Sequence, residues 1–342
     1  MNRALTLHSV HDLRLDELPE APLHPGEVRL RLGAGGICGS DLHYWAHGGV
    51  GDFKLRQPMV LGHEVAGTVS DIGEGVDTLR PGQRVTINPA RPCRNCDQCL
   101  SGHANRCRNV RFYGSAARFP HVQGAFAESF VADQAQCFPI PDELPFAVAA
   151  MAEPLAVTLH AVGQAGPLLG RDVLIVGAGP IGALCVLSVR LAGARRITIC
   201  DVQDAPLMVA AKLGADRVVN VSRETLDDLE VDAALEASGS AAGLASALSA
   251  LMPGGTLVQL GMFPPGPISV PLGLAISREL RVIGSFRFAA EFGLAAELLS
   301  LGRLDVTPLL SAQFELSHAA DAFALAADRS RAMKVSLVPD VH

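Results

Sequence analysis

The run Val173-Leu-Ile-Val176 passes directly into Gly177-Ala-Gly179-Pro-Ile-Gly182, and no other segment constrains the fold of this chain as strongly. A short apolar run that meets G-x-G-x-x-G and then a helix-compatible stretch reads as a buried strand, a tight turn and a helix start. Gly177 permits the turn, Gly179 lets backbone approach a pyrophosphate, and Gly182 allows close helix packing. Pro180 and Ile181 lie in the opening turn of the helix, whose N-terminus faces phosphate charge. Nineteen residues after Gly182, Asp201 closes the next apolar run, Ile197-Thr-Ile-Cys200. Its carboxylate suits a ribose 2′-hydroxyl and repels a 2′-phosphate, which favours NAD and leaves NADP as the alternative. The bland reading is a glycine-rich turn in a nucleotide-free α/β domain. The surrounding strand, helix and acidic residue weigh against it.

The same alternation continues on both sides of Asp201. Pro180 to Leu191 and Ala205 to Leu213 read as helices, and Arg217-Val-Val, Val231 to Leu235 and Thr256 to Leu260 as further strands. Such a series implies a parallel, doubly wound sheet with helices on both faces. The first part of the chain has a different texture. Runs such as Glu27-Val-Arg-Leu-Arg-Leu32, Glu64 to Val69 and Gln83 to Ile87 are separated by the turn signals His24-Pro-Gly and Arg80-Pro-Gly. They predict a small β-barrel-like domain. An Ala-rich helix is expected over Ala147 to Ala165, and two helices and a last strand over Leu294 to Val338. The expected division is residues 1–146, with a cysteine lobe at 91–110, then a nucleotide-binding domain at 147–286, and a return to the first domain at 287–342.

With 342 residues, 49% of them hydrophobic and 18% charged, the chain can bury two cores. A net charge of −7 argues against nucleic acid as a partner. The longest apolar stretches are broken by glycine, proline or serine, so no membrane span is expected. Of eight cysteines, four stand at metal spacing and Cys185 and Cys200 fall in apolar runs. That usage suits a reduced, cytoplasmic compartment.

Cys93, Cys96, Cys99 and Cys107, spaced x2, x2 and x7, can close a tetrahedron around Zn²⁺, which makes a structural site. Cys38 and His63 are too few to saturate a zinc, so a site built on them keeps a position for water or substrate. Taken singly, a buried cysteine and a satisfied core histidine are the commoner readings. Together, with Gly36 and Gly39 around Cys38 and Gly62 before His63, they point to a second metal. Glu64 follows His63, and Glu153 adds a carboxylate at the domain boundary, where it also reads as an ordinary helix-start charge.

Gly36-Ile-Cys-Gly-Ser-Asp-Leu-His43, Gly62-His-Glu64, the four-cysteine lobe and Glu153-Pro-Leu-Ala-Val157 resemble the zinc-dependent medium-chain alcohol and polyol dehydrogenases, in particular their sorbitol dehydrogenase branch. The resemblance covers essentially the whole chain. It implies a GroES-like barrel joined to a Rossmann domain, one catalytic and one structural zinc, NAD, and a homo-oligomer, tetramer or dimer. It further implies oxidation of a secondary hydroxyl of a small polyol or sugar acid. Glu153 stands where the alcohol dehydrogenases use a second cysteine, so a direct carboxylate or a water there stay alternatives, as they do for Glu64.

By the same resemblance Ser40 and His43 form a proton relay, and Gly261, Phe286 and Arg287 line the cofactor. Arg287, set between Phe286 and Phe288, is also the first choice to hold a substrate carboxylate. Arg111, Arg118 and His121 are further cations to consider. Asp41 is cast as a support for His63 or its loop. Neutral polyols, simple secondary alcohols and L-threonine are rival substrates, and a catalytically idle nucleotide-binding relative is the rival class.

Overall fold

The computed structural model describes residues 1–341. Its nucleotide side is a six-stranded parallel sheet in the order Arg217–Asn220, Arg196–Asp201, Asp172–Val176, Val231–Glu236, Leu251–Gln259, Arg281–Gly284. In chain order that is 3-2-1-4-5-6, so the direction of winding reverses between Asp172–Val176 and Val231–Glu236. A dinucleotide lies across such a reversal, outside the carboxyl ends of the strands. Val173 to Val176 are all buried, as a central strand covered on both faces must be. Helix Pro180–Leu191 begins at the fingerprint, with Pro180 in its first turn.

The barrel side is built on Glu27–Gly36, where Val28, Leu30, Leu32 and Ala34 are buried in strict alternation. This strand pairs antiparallel with Glu64–Ile72, Ser129–Asp133 and Lys334–Val338. It therefore lies at the centre of a seven-stranded mixed sheet. The GroES-like barrel and Rossmann sheet expected from the resemblance are both present.

Two local expectations need correction. The helix expected over Ala147 to Ala165 is two helices, Phe146–Ala150 and Ala152–Ala165. Pro154 has no N–H to offer the Ala150 carbonyl, so the hydrogen-bond ladder is interrupted there. The break at Met151 sets Glu153 in the first turn of the second helix. Phe146–Ala165 is long and apolar enough to cross a membrane, but most of it is buried in the protein, where Met151, Leu155, Ala161 and Val162 join the nucleotide-side core.

The tail holds an unexpected strand, Leu310–Glu315, parallel to Lys334–Val338 and joined to it through helix Ala319–Ala327. Its half-exposed mixture of Ser, Ala, Gln and Glu carries little apolar signal. Helix Glu291–Ser300 buries Phe292 and Leu299 in the nucleotide-side core. We accordingly draw the return of the chain to the barrel at Leu310 rather than at residue 287.

Candidate active site and metal centres

The cysteine lobe brings all four thiols together, with their sulfurs within 4.8 Å of one another. Cys93 and Cys107 Sγ are 3.5 Å apart and Cys96 and Cys107 Sγ 4.0 Å. Disulfide sulfurs sit at about 2.05 Å. Zn–S bonds of about 2.3 Å in a tetrahedron put sulfurs about 3.8 Å apart. The N–H groups of Cys93 and Asn109 donate to Cys107 Sγ, which pre-orients it. Backbone donors at Cys99 and Arg108 pull the Cys96 thiol down to about 6. Lost hydration and the neighbouring Cys107 and Cys96 sulfurs push Cys99 up to about 12. Four thiolates cannot coexist here without a cation, and the geometry fits zinc.

At the second site Cys38, His63 and Glu64 converge, their ligand atoms again within 4.8 Å. His63 is buried and its Nδ1 has no hydrogen-bond partner, lying 3.7 Å from Asp41 Oδ1. Burial opposes charge on the ring. Asp41, Cys38 and Glu153 outweigh it and hold the His63 pKa well above 6.5. A buried ring beside a thiol and two acidic side chains marks a place suited to a cation, and Cys with His is a zinc donor pair. Asp41 Oδ2 accepts from Cys38 N at 3.0 Å and its Oδ1 from Gly62 N at 3.3 Å, so one buried carboxylate ties both ligand loops together.

Glu64 is already engaged. Its Oε1 and Oε2 accept from Lys334 Nζ at 2.8 and 2.7 Å, with both residues buried. A Cβ on Gly36 would collide with Glu64 Oε2, so a larger residue there would push the carboxylate out of its place beside Lys334. Sequence reading missed Lys334. The signal was a lone lysine inside an apolar strand, Met333-Lys-Val-Ser-Leu-Val338.

Glu153 lies outside that convergence. Burial, reinforced by Glu64, raises its pKa to about 7, against the pull of His63, Lys334 and Arg287. Arg287 has a left-handed backbone, φ 54°, and its guanidinium lies 4.4 Å from the Phe112 ring centre and 4.8 Å from that of Phe286. Phe112 stacks in turn beside His63, 5.5 Å between ring centres. Burial lowers the Arg287 pKa while Glu153 and Tyr44 sustain its charge. The expected pair of flanking phenylalanines is thus corrected. Phe288 is buried with Phe292 in the other core, and Phe112 takes its place.

The cysteine lobe reaches this loop too. Asn105 Nδ2 donates to the Phe286 carbonyl at 3.1 Å and lies 3.4 Å from His160 Nε2, while His160 Nδ1 meets Glu291 at 2.9 Å. Of the other candidate cations, Arg111 is exposed on strand Arg111–Phe112, and the remaining two are engaged with loops. Arg118 donates to Val110 O and Asn109, and His121 accepts from Arg56 N. Ser40 and His43 sit three residues apart on helix Gly39–His47, so they share a face. Partial enclosure and neighbouring His47 hold the His43 pKa below 6.5.

Gly177, Gly261 and Phe286 follow strands of the parallel sheet at its carboxyl edge, and Asp201 closes one there. Gly177 has φ 93°, and a Cβ on Gly182 would overlap the Gly177 carbonyl, so both fingerprint glycines are needed. Asp201 is more heavily engaged than expected. Its Oδ1 accepts from Val202 N and Gln203 N, and its Oδ2 from Ala178 N and Arg329 Nη2.

Comparison with known proteins agrees with this geometry. Residues 24–142 match the alcohol dehydrogenase GroES-like domain and residues 180–300 the zinc-binding dehydrogenase domain. The chain belongs to the zinc-binding alcohol and polyol dehydrogenase family. It is 40% identical over 316 residues to L-idonate 5-dehydrogenase (NAD(P)(+)) of Escherichia coli K12, covering 90% of this chain and 91% of that one. Sorbitol dehydrogenase of Gallus gallus is 35% identical over 332 residues, 94% and 92% of the two chains. The crystal structure of the Escherichia coli L-idonate 5-dehydrogenase superposes with a TM-score of 0.95 at 37% identity, covering 98% of each chain. Membership makes the protein a zinc-dependent dehydrogenase, with zinc and NAD(P) as its cofactors.

Proposed function

We propose that this protein oxidises L-idonate at carbon 5 to 5-keto-D-gluconate, and catalyses the reverse, with NAD preferred over NADP. Arg287 carries the reading. It is a largely buried guanidinium between two aromatic rings, beside Glu153 and one ring away from His63. A neutral polyol gives such a cation no anionic partner, whereas a carboxylate several bonds from the reacting hydroxyl does. The 40% identity to an L-idonate enzyme supports the same substrate class.

When bound, zinc would supply Lewis acidity at the substrate hydroxyl and the nicotinamide a hydride acceptor. Cys38 and His63 would hold that zinc, with Glu153 completing the set directly or through water. Glu64, held by Lys334, balances charge behind it. Ser40 would hydrogen-bond the substrate hydroxyl as its proton leaves, and His43 would hand that proton to solvent. The Rossmann loop at Gly177, Gly179, Pro180, Ile181 and Gly182 would hold the pyrophosphate, and Gly261 and Phe286 would lie toward the nicotinamide. A homo-oligomer fits the reading, since the terminal strand Arg281–Gly284 leaves Val282 exposed on an open sheet edge.

Arg287→Ala should cost about 1.5–3 kcal/mol of binding to L-idonate and much less for sorbitol, measured as KM and inhibition constants. Equal losses on both substrates would give Arg287 a cofactor role instead. Wild-type turnover of sorbitol with none of L-idonate would replace this reading with the polyol one.

His43 yields a pH prediction. Because its pKa lies below 6.5, the ring is neutral at pH 7 and can take a proton, and activity should fall on the acid side as the ring charges. His43→Ala should slow turnover by about 10²-fold and remove that acid limb from the kcat profile. A variant with an unchanged profile would exclude His43 from proton transfer.

A further inference from the structure

Arg329 lies on the turn between helix Ala319–Ala327 and strand Lys334–Val338, on the barrel side of the molecule. The turn is held by Asp328, whose carbonyl accepts from the N–H groups of Arg331 and Ala332 and whose side chain accepts from Ser330. From there Arg329 crosses to the nucleotide side and places Nη2 2.8 Å from Asp201 Oδ2. A second observation comes from the phosphate turn. A Cβ built on Gly179 would find Arg329 Nη2 at 3.6 Å, with Cζ and Nε both at 3.9 Å. One guanidinium thus faces the carboxylate that discriminates at the ribose and the glycine that admits the pyrophosphate.

The Asp201 side chain is 4% exposed and the Arg329 side chain 46%. An exposed arginine held over a buried carboxylate can turn part of its five-donor fork outward without losing a packing role. Asp201 keeps three backbone N–H donors whatever Arg329 does, so its position does not depend on the ion pair.

We propose that Arg329 sets the cofactor range of the enzyme. It offsets the charge of Asp201 and supplies a cation to the ribose 2′-phosphate, so that NADP is accepted despite an acidic residue at the ribose position. The general chemistry is that of an arginine near the ribose accommodating a 2′-phosphate. Here the barrel side of the chain delivers it across the cofactor cleft. The inference rests on the dinucleotide reading of the Gly177–Gly182 turn.

Equilibrium binding to the zinc-loaded full chain tests it, by calorimetric titration with NADH, NADPH, ADP and adenosine 2′,5′-bisphosphate. Arg329→Ala should weaken NADPH and adenosine 2′,5′-bisphosphate by roughly tenfold or more, and NADH and ADP by less than about threefold. Arg329→Lys, which keeps the charge, should retain most of the NADPH affinity. An equal loss for NADH and NADPH, no loss for either, or tighter NADPH binding would each overturn the proposal. So would a wild type that binds NADH but has no measurable affinity for NADPH. A wild type that binds neither dinucleotide would instead overturn the nucleotide-site reading itself.

Discussion

Cys107→Ser should release the zinc of the cysteine lobe, lowering metal content from about two ions per chain to about one. It should cost on the order of several kcal/mol of stability, which for a chain of this size shifts the melting temperature by roughly 10 °C. Cys107 is the buried member of the four, and two backbone N–H groups donate to its sulfur. Serine offers a harder and less readily ionised ligand, leaving three thiolates crowded without their cation. The damage should also reach the substrate. Asn105, two residues earlier, holds the Phe286 carbonyl and so the loop that carries Arg287. The surviving folded fraction should show a raised KM for L-idonate. Metal analysis and a thermal melt decide the matter, and a variant with full zinc content and normal melting would refute the structural-zinc assignment.

Lys334→Met should destabilise the fold by about 3–5 kcal/mol, because it strands the buried Glu64 carboxylate without its partner. Methionine nearly matches the lysine stem in volume, so lost packing contributes little. The double variant Lys334→Met with Glu64→Gln should recover most of the loss, since a neutral pair no longer buries an unpaired charge. Denaturant titration of the three proteins checks this, and a single variant as stable as wild type would refute the buried pair.

The pH dependence has a definite sign. Burial disfavours the Lys334 charge, but Glu64, with Cys38 and Glu153 behind it, raises the pKa above 10.5. The stabilisation is therefore fully present below pH 10.5 and is lost as pH rises through the higher folded value. Lys334→Met should lack that alkaline loss.

Motifs whose chemistry depends on near neighbours in sequence were legible before any coordinates. Strand Asp172–Val176, helix Pro180–Leu191 and the four-cysteine lobe are set by local spacing, and each appears where periodicity and ligand spacing placed it. Cys38 and His63 were legible as a pair because glycines flank both of them in segments between regular elements. Strand Leu310–Glu315 was not, since its pairing with Lys334–Val338 stabilises a segment with a weak pattern of its own.

Charge partnership across long separations belonged to the tertiary structure alone. Lys334 meets Glu64 across 270 positions, and Arg329 meets Asp201 across 128. Phe112, rather than Phe288, stacks on Arg287 because the barrel brings it there, while Phe288 turns into the other core. Residue types and spacings determine which ligands and turns a chain can form, because those depend on bonded geometry over a few residues. Which cation neutralises which buried anion is decided only when strands from opposite ends of the chain are laid side by side and water is excluded between them.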